Sequence, residues 1–156
     1  MQNHQPYDQG EDPTDEFTNY LTWVQHTNEG LEQFLKDLEK IEEPVLVFFG
    51  GDHFPSLRGE TSVYNQLGLT GMNCDTLYQQ KYFFWSNYDA DFSYIPENEV
   101  SFFYIPYVIL NIIDAPRDAF IEKMNEYMET LPVYSNEYNS EIPRNEELDI
   151  LTLDNS

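Results

Sequence analysis

The sequence predicts an α/β fold, sheet strands flanked by helices, from three features read along the chain. Apolar side chains recur at helical spacing between residues 17 and 40, an unbroken apolar run follows at 44–49, and a second, aromatic run stands at 81–88. Helical and strand periods alternate, the pattern expected when helices cover a sheet. With 156 residues, 40% hydrophobic and 16% aromatic, the chain has enough apolar material for one domain with a real core.

The first element is announced by an acidic surface loop, Asp8-Gln9-Gly10-Glu11-Asp12-Pro13, after which Thr14 or Asp15 suits a helix N-cap. Phe17, Tyr20, Leu21, Val24, Leu31, Leu35 and Leu38 then form one face of an amphipathic helix over 17–40, expected to pack on the sheet. Glu32 and Lys36 stand at the favourable i,i+4 spacing on its wet side, Gly30 weakens it locally, and His26 falls at a solvated position.

The run Pro44-Val45-Leu46-Val47-Phe48-Phe49 has no alternation and reads as a strand covered on both faces. Gly50-Gly51 lets the backbone turn sharply at its carboxyl end, and Asp52-His53 follows at once. Ligand sites in α/β sheets gather outside that end of the strands. On a regular strand Asp52 and His53 would point to opposite faces, whereas in an irregular loop after two glycines both side chains can converge on one cation. A plain turn also accounts for them, because Gly-Asp is ordinary turn chemistry.

Residues 54–80 read as loop, punctuated by Arg58-Gly59-Glu60, Gly68, Gly71 and Asn73, and loops of this kind line active sites. Residues 81–88 read as the second buried strand, with Trp85 packed in the core and its indole N–H available to a polar partner. Asn87 suits both a turn and a site contact. The segment 101–113 is apolar nearly all round, which fits a short buried helix with Pro106 in its first turn. Pro116 opens a last helix carrying Phe120, Ile121, Met124, Met128 and Leu131 on one face, and Pro132 closes it. The polar, acidic remainder divides the chain into a domain at 1–134 and a mobile tail at 135–156.

Twenty-nine acidic against seven basic residues give a net charge of −22, which repels nucleic-acid phosphates and anionic lipid surfaces and attracts cations. Nucleic acid is therefore not an expected partner; the same charge also serves as a solubilising surface. The single Cys74 forms no internal disulfide. There is no run of about eighteen apolar residues and no basic, then apolar, leader, so no membrane span or export signal is expected, and this chain alone would stay in the cytoplasm. Gly-rich phosphate loops, Cys-x-x-Cys pairs and internal repeats are absent from the sequence.

The string PVLVFFGGDHFPSL, followed by KYFFWSNYD at 81–89 and preceded by MQNHQPY at the start, resembles the lipoteichoic acid synthase branch of the sulfatase-like enzymes of the alkaline phosphatase superfamily. The similarity runs over roughly residues 1 to 134, through SFFYIPYVIL and the segment 116–132. It implies a partial alkaline-phosphatase/sulfatase-like domain, the carboxyl-terminal portion of a larger catalytic domain acting at the outer face of the cell membrane. Asp52 and His53 would then be metal ligands and His4 a contact to the glycerol-phosphate group. The nucleophilic threonine, a metal-binding glutamate and a substrate-binding arginine would come from an upstream half, leaving no catalytic nucleophile in this chain. The implied cofactor is one divalent metal, Mn²⁺ first, with Mg²⁺ or Zn²⁺ compatible with a carboxylate and imidazole set. The implied substrate is a glycerophosphate lipid, phosphatidylglycerol. Asn28 and Gly50 depart from the family pattern, which often has an aspartate and an aromatic there. Two other classes are compatible with the charge: an acidic interaction protein that mimics nucleic acid, and a non-catalytic relative of the enzyme.

Overall fold

A computed structural model of the chain describes residues 13–55, 57, 62–69, 78–134 and 145–148. They belong to two compact units, Met1–Tyr88 and Asp89–Ser156. The fold is a mixture of helices and a small antiparallel sheet, consistent with part of an α/β domain.

In the first unit, helix α1 spans Pro13–Leu38. It takes in Thr14 and Asp15, the expected caps, because proline is well suited to a first helical turn. It ends two residues before the expected Lys40, in a tight turn where the Lys40 N–H donates to the Asp37 carbonyl at 3.2 Å and that of Ile41 to Leu38 at 3.1 Å. The Glu32–Lys36 pair forms as the spacing predicts, and Lys36 holds the Glu32 carboxyl below its ordinary range. The Gln25 and Gln33 amides donate to Glu29 and Asp37 in the same i,i+4 manner. His26 is solvated beside Glu29. The expected packing face is partly covered: Phe17, Tyr20, Leu31, Leu35 and Leu38 are half-buried, Leu21 and Val24 are exposed, and no described α1 side chain from Phe17 onward is fully buried.

Strand β1 is Leu46–Gly50 and strand β2 is Tyr82–Ser86. They pair antiparallel, with Phe48 opposite Phe84 and Gly50 opposite Tyr82. Phe48, Tyr82 and Phe84 cluster on one face with ring centroids 5.2 to 6.0 Å apart, while Phe49 and Phe83 meet on the other at 5.5 Å. Both runs were expected to be covered on both faces, yet every residue in them is half-buried or exposed. Among the described residues the sheet has two strands, so neither is an inner strand, and the rings cover one another across the pair. Between the strands lies the short helix α2, Val63–Gln66, inside the stretch expected to be loop. Its end is a Schellman turn: Gly68 at φ 72° lets the Leu69 N–H reach the Tyr64 carbonyl at 2.8 Å.

Asn87, which suited either a turn or a site contact, is a structural bracket. Its Oδ1 accepts from the Val45 N–H at 2.8 Å, and its Nδ2 donates to the carbonyls of Ile41 at 2.9 Å, Glu43 at 3.0 Å and Leu38 at 3.4 Å. One amide thus fastens the end of α1 and the entry to β1 onto the end of β2.

In the second unit, a 3-10 turn at Phe102–Tyr104 leads into α3, Ile105–Ile112, with Pro106 in the first turn as expected. The burial is one-sided: Ile105, Val108, Asn111 and Ile112 are buried while Phe102 is 62% exposed. Helix α4 spans Ala119–Thr130. It starts three residues after Pro116 because the Asp118 carboxylate caps it, accepting from the Ile121 N–H at 2.9 Å. Asn111 and Asn125 exchange amide hydrogen bonds of 2.9 and 3.2 Å, satisfying a buried polar group between the two helices. Tyr104, Met124, Tyr127, Tyr134 and Leu148 form the core. Burial pushes the Tyr104 hydroxyl up to about 12, so it stays a donor, to the Leu131 carbonyl at 3.2 Å. Leu148 is fully buried, and its neighbours dock too: Asn145 bonds the Tyr134 hydroxyl and Glu147 accepts from Tyr127. The stretch expected to be a mobile tail therefore has packed residues at 145–148; residues 135–144 and 149–156 lie outside the described ones.

Helix α3 closes on a second Schellman turn, with the Ala115 N–H bonded to the Leu110 carbonyl at 2.9 Å and Asp114 at φ 49°. A non-glycine residue is strained there. Asp114→Gly is expected to raise stability by about 0.5 to 1 kcal/mol, measured by chemical denaturation. A loss of stability would show that the Asp114 side chain supports the turn.

Candidate functional site

The Asp52-His53 pair stands in the loop directly after β1, and both side chains are open, Asp52 86% and His53 77% exposed. The strand delivers them through Gly50 and Gly51, and the backbone bends at Asp52 and His53 directly after the two glycines. Neither has positive φ. Both sit instead where a neighbouring side chain comes close. A Cβ on Gly50 would lie 2.9 Å from the Phe48 ring and 3.2 Å from the Tyr82 Cβ; one on Gly51 would lie 2.6 Å from the Gln80 Oε1. The Phe48 ring thus covers the place where a side chain at 50 would stand.

Past Gly51 the backbone leaves the ladder and the two side chains come together. Asp52 Oδ1 accepts from the His53 N–H at 2.8 Å, leaving Oδ2 facing His53 Nε2 at 3.5 Å. His53 Nδ1 lies 2.9 Å from the Phe54 carbonyl oxygen. A carbonyl only accepts, so in the neutral ring the proton sits on Nδ1 and Nε2 carries a lone pair. Two acceptors therefore face each other across a gap that a cation would bridge. Donors about 2.0 to 2.2 Å from one tetrahedral ion are about 3.3 to 3.5 Å apart, so the observed spacing fits. A backbone carbonyl fixing the other ring nitrogen is also the common arrangement around metal-ligating histidines.

Among the described residues no third His, Cys, Asp or Glu joins the pair. His4, expected to contact substrate, lies outside the described residues, as does Cys74. Two neighbours were not singled out from the sequence: Gln80, packed against Gly51, and Tyr64, whose hydroxyl donates to the Pro55 carbonyl at 2.8 Å. Glycine at 51 was the one available signal, since it marks a close approach without saying by what. No described helix is long and apolar enough to cross a membrane.

The sequence model of the sulfatase family matches residues 1–112, which takes in the whole Asp52-His53 loop, both strands and α3. No curated protein matches the chain, and no solved structure does.

Proposed function

We propose, on the premise that this chain belongs to the sulfatase family, that Asp52 and His53 are two ligands of the divalent cation of a phosphoglycerol transferase of the lipoteichoic acid synthase type. The family places the chain among metal-using hydrolases and transferases of the alkaline phosphatase superfamily. The observation that carries the ligand assignment is the 3.5 Å approach of the His53 Nε2 to the Asp52 Oδ2, with the Phe54 carbonyl oxygen 2.9 Å from the ring's other nitrogen. When bound, the cation supplies charge neutralisation at phosphoryl oxygens and activation of a hydroxyl nucleophile. In this chain Asp52 contributes the negative charge, the Phe54 carbonyl holds the His53 ring with Nε2 outward, and the net charge of −22 gathers cations. Mn²⁺ suits this mixed donor pair, with Mg²⁺ and Zn²⁺ as competitors. The substrate is a glycerophosphate group of a lipid such as phosphatidylglycerol, with His4 in contact with it, a reading supported by the NH-x-PY segment that opens the chain.

Two protein ligands leave most coordination positions to water, whereas catalytic zinc sites use three. The 156-residue chain alone is therefore expected to bind Mn²⁺ weakly and to turn over neither phosphatidylglycerol nor a chromogenic phosphodiester. Calorimetric titration of Mn²⁺ at matched ionic strength tests this. The wild type should show one site that is absent from the Asp52→Asn, His53→Ala double variant; indistinguishable isotherms would overturn the assignment. Metal-dependent turnover abolished by Asp52→Asn would contradict the expected inactivity while confirming the ligand.

A further inference from the structure

We infer that Gln80 is a positioning residue for the Asp52-His53 loop, bracing it by shape through Gly51; the role assigned to the braced pair rests on the reading of Asp52 and His53 as cation ligands. The Gly51 N–H donates to the Lys81 carbonyl at 3.3 Å, the last backbone bond between the two strands before the loop departs. At that point the Gln80 carboxamide occupies the space where a side chain at 51 would stand, within 2.6 Å of its Cβ position. Its Nε2 is buried and has no hydrogen-bond partner among the described residues. Leaving a buried donor unpaired is a net cost, so hydrogen bonding does not account for the group's position. Its contact with Gly51 does. The loop's far end is held separately, by the Tyr64 hydroxyl on the Pro55 carbonyl. Between these two fixed points lie only Asp52, His53 and Phe54, so the brace under Gly51 sets where the carboxylate and imidazole emerge. Supports of metal ligands commonly change affinity by about 10- to 100-fold when removed.

Shape bracing has a signature that hydrogen bonding lacks: Gln80→Met, with similar length and no amide, should preserve it, while Gln80→Ala should not. The two readouts are the ¹⁵N shifts of the His53 ring without metal and the Mn²⁺ affinity measured by proton relaxation. Gln80→Ala is expected to move the ring from the Nδ1–H tautomer toward the mixture of a free imidazole and to weaken Mn²⁺ binding about tenfold. Gln80→Met should stay within about twofold of wild type, as a support acting by shape requires. Gly51→Ala serves where Gln80→Ala perturbs the sheet. The atom it meets is the far end of a flexible side chain, so the sheet survives while the carboxamide is displaced, and the ring shifts should follow those of Gln80→Ala. Unchanged ring shifts in both Gln80→Ala and Gly51→Ala would overturn the inference, as would loss of the tautomer preference in Gln80→Met. Absence of His53-dependent Mn²⁺ binding in the wild type would overturn the ligand assignment instead, and the metal-free ring shifts would still decide the role of Gln80.

Discussion

Leu148→Ala is expected to cost about 3 kcal/mol, within the 2 to 5 kcal/mol typical of emptying a buried leucine site. Leu148 is fully buried against Tyr104, Met124, Tyr127 and Tyr134. Rings that bond through their hydroxyls have little freedom to collapse into the void: Tyr104 is tied to Leu131, Tyr134 to Asn145 and Tyr127 to Glu147. The loss is a large share of the stability of any small domain. Amide exchange at Met124 and Tyr127 during denaturant titration reads it within the second unit. A change below about 0.5 kcal/mol, the range of surface substitutions, would mean that residues 145–148 do not close this core.

Asn87→Ala is expected to cost about 2 to 4 kcal/mol, because it removes one acceptor and three donor contacts and leaves the Val45 N–H without its side-chain partner. Asn87→Asp separates the two halves of the bracket. It keeps an acceptor for Val45 but places a carboxylate among three carbonyl oxygens, so it should be no better than alanine. Trp85, paired with Val47 two residues from the bracket's anchor, reports the unfolding by fluorescence. Near-wild-type stability of Asn87→Asp would show that only the Val45 bond matters.

Local chemistry was legible in the sequence and long-range pairing was not. Both strands stand where their aromatic runs predict, Pro106 lies in the first turn of its helix, and Glu32 meets Lys36. Each follows from neighbours in sequence. The expectation that α1 packs on the sheet, and that both strands are covered, came from the same apolar pattern read as a statement about partners. Pattern gives the apolar face but not what meets it, and the described α1 face is only partly covered, with Leu21 and Val24 exposed. The start of α4 moved from Pro116 to Ala119 because an aspartate cap outranks a proline as a start signal here. Leu148 opens the short run Leu148-Asp149-Ile150-Leu151-Thr152-Leu153, whose apolar residues follow an acidic, polar stretch and were read with it as tail. The site divides in the same way. Asp52 and His53 stood out because an irregular loop after two glycines lets adjacent side chains approach each other, and theirs lie 3.5 Å apart. Gln80 and Tyr64 reach that loop from other parts of the chain, and nothing local marks them.

The central claim is that His53 and Asp52 share one cation, and pulsed electron paramagnetic resonance on bound Mn²⁺ tests it most directly. A single coordinated imidazole nitrogen should give a ¹⁴N coupling in the wild type and in His26→Gln. The coupling should vanish in His53→Gln and weaken with the bound fraction in Asp52→Asn. A coupling that survives His53→Gln, or a wild-type spectrum identical to aqueous Mn²⁺ at concentrations where calorimetry shows binding, would contradict the account.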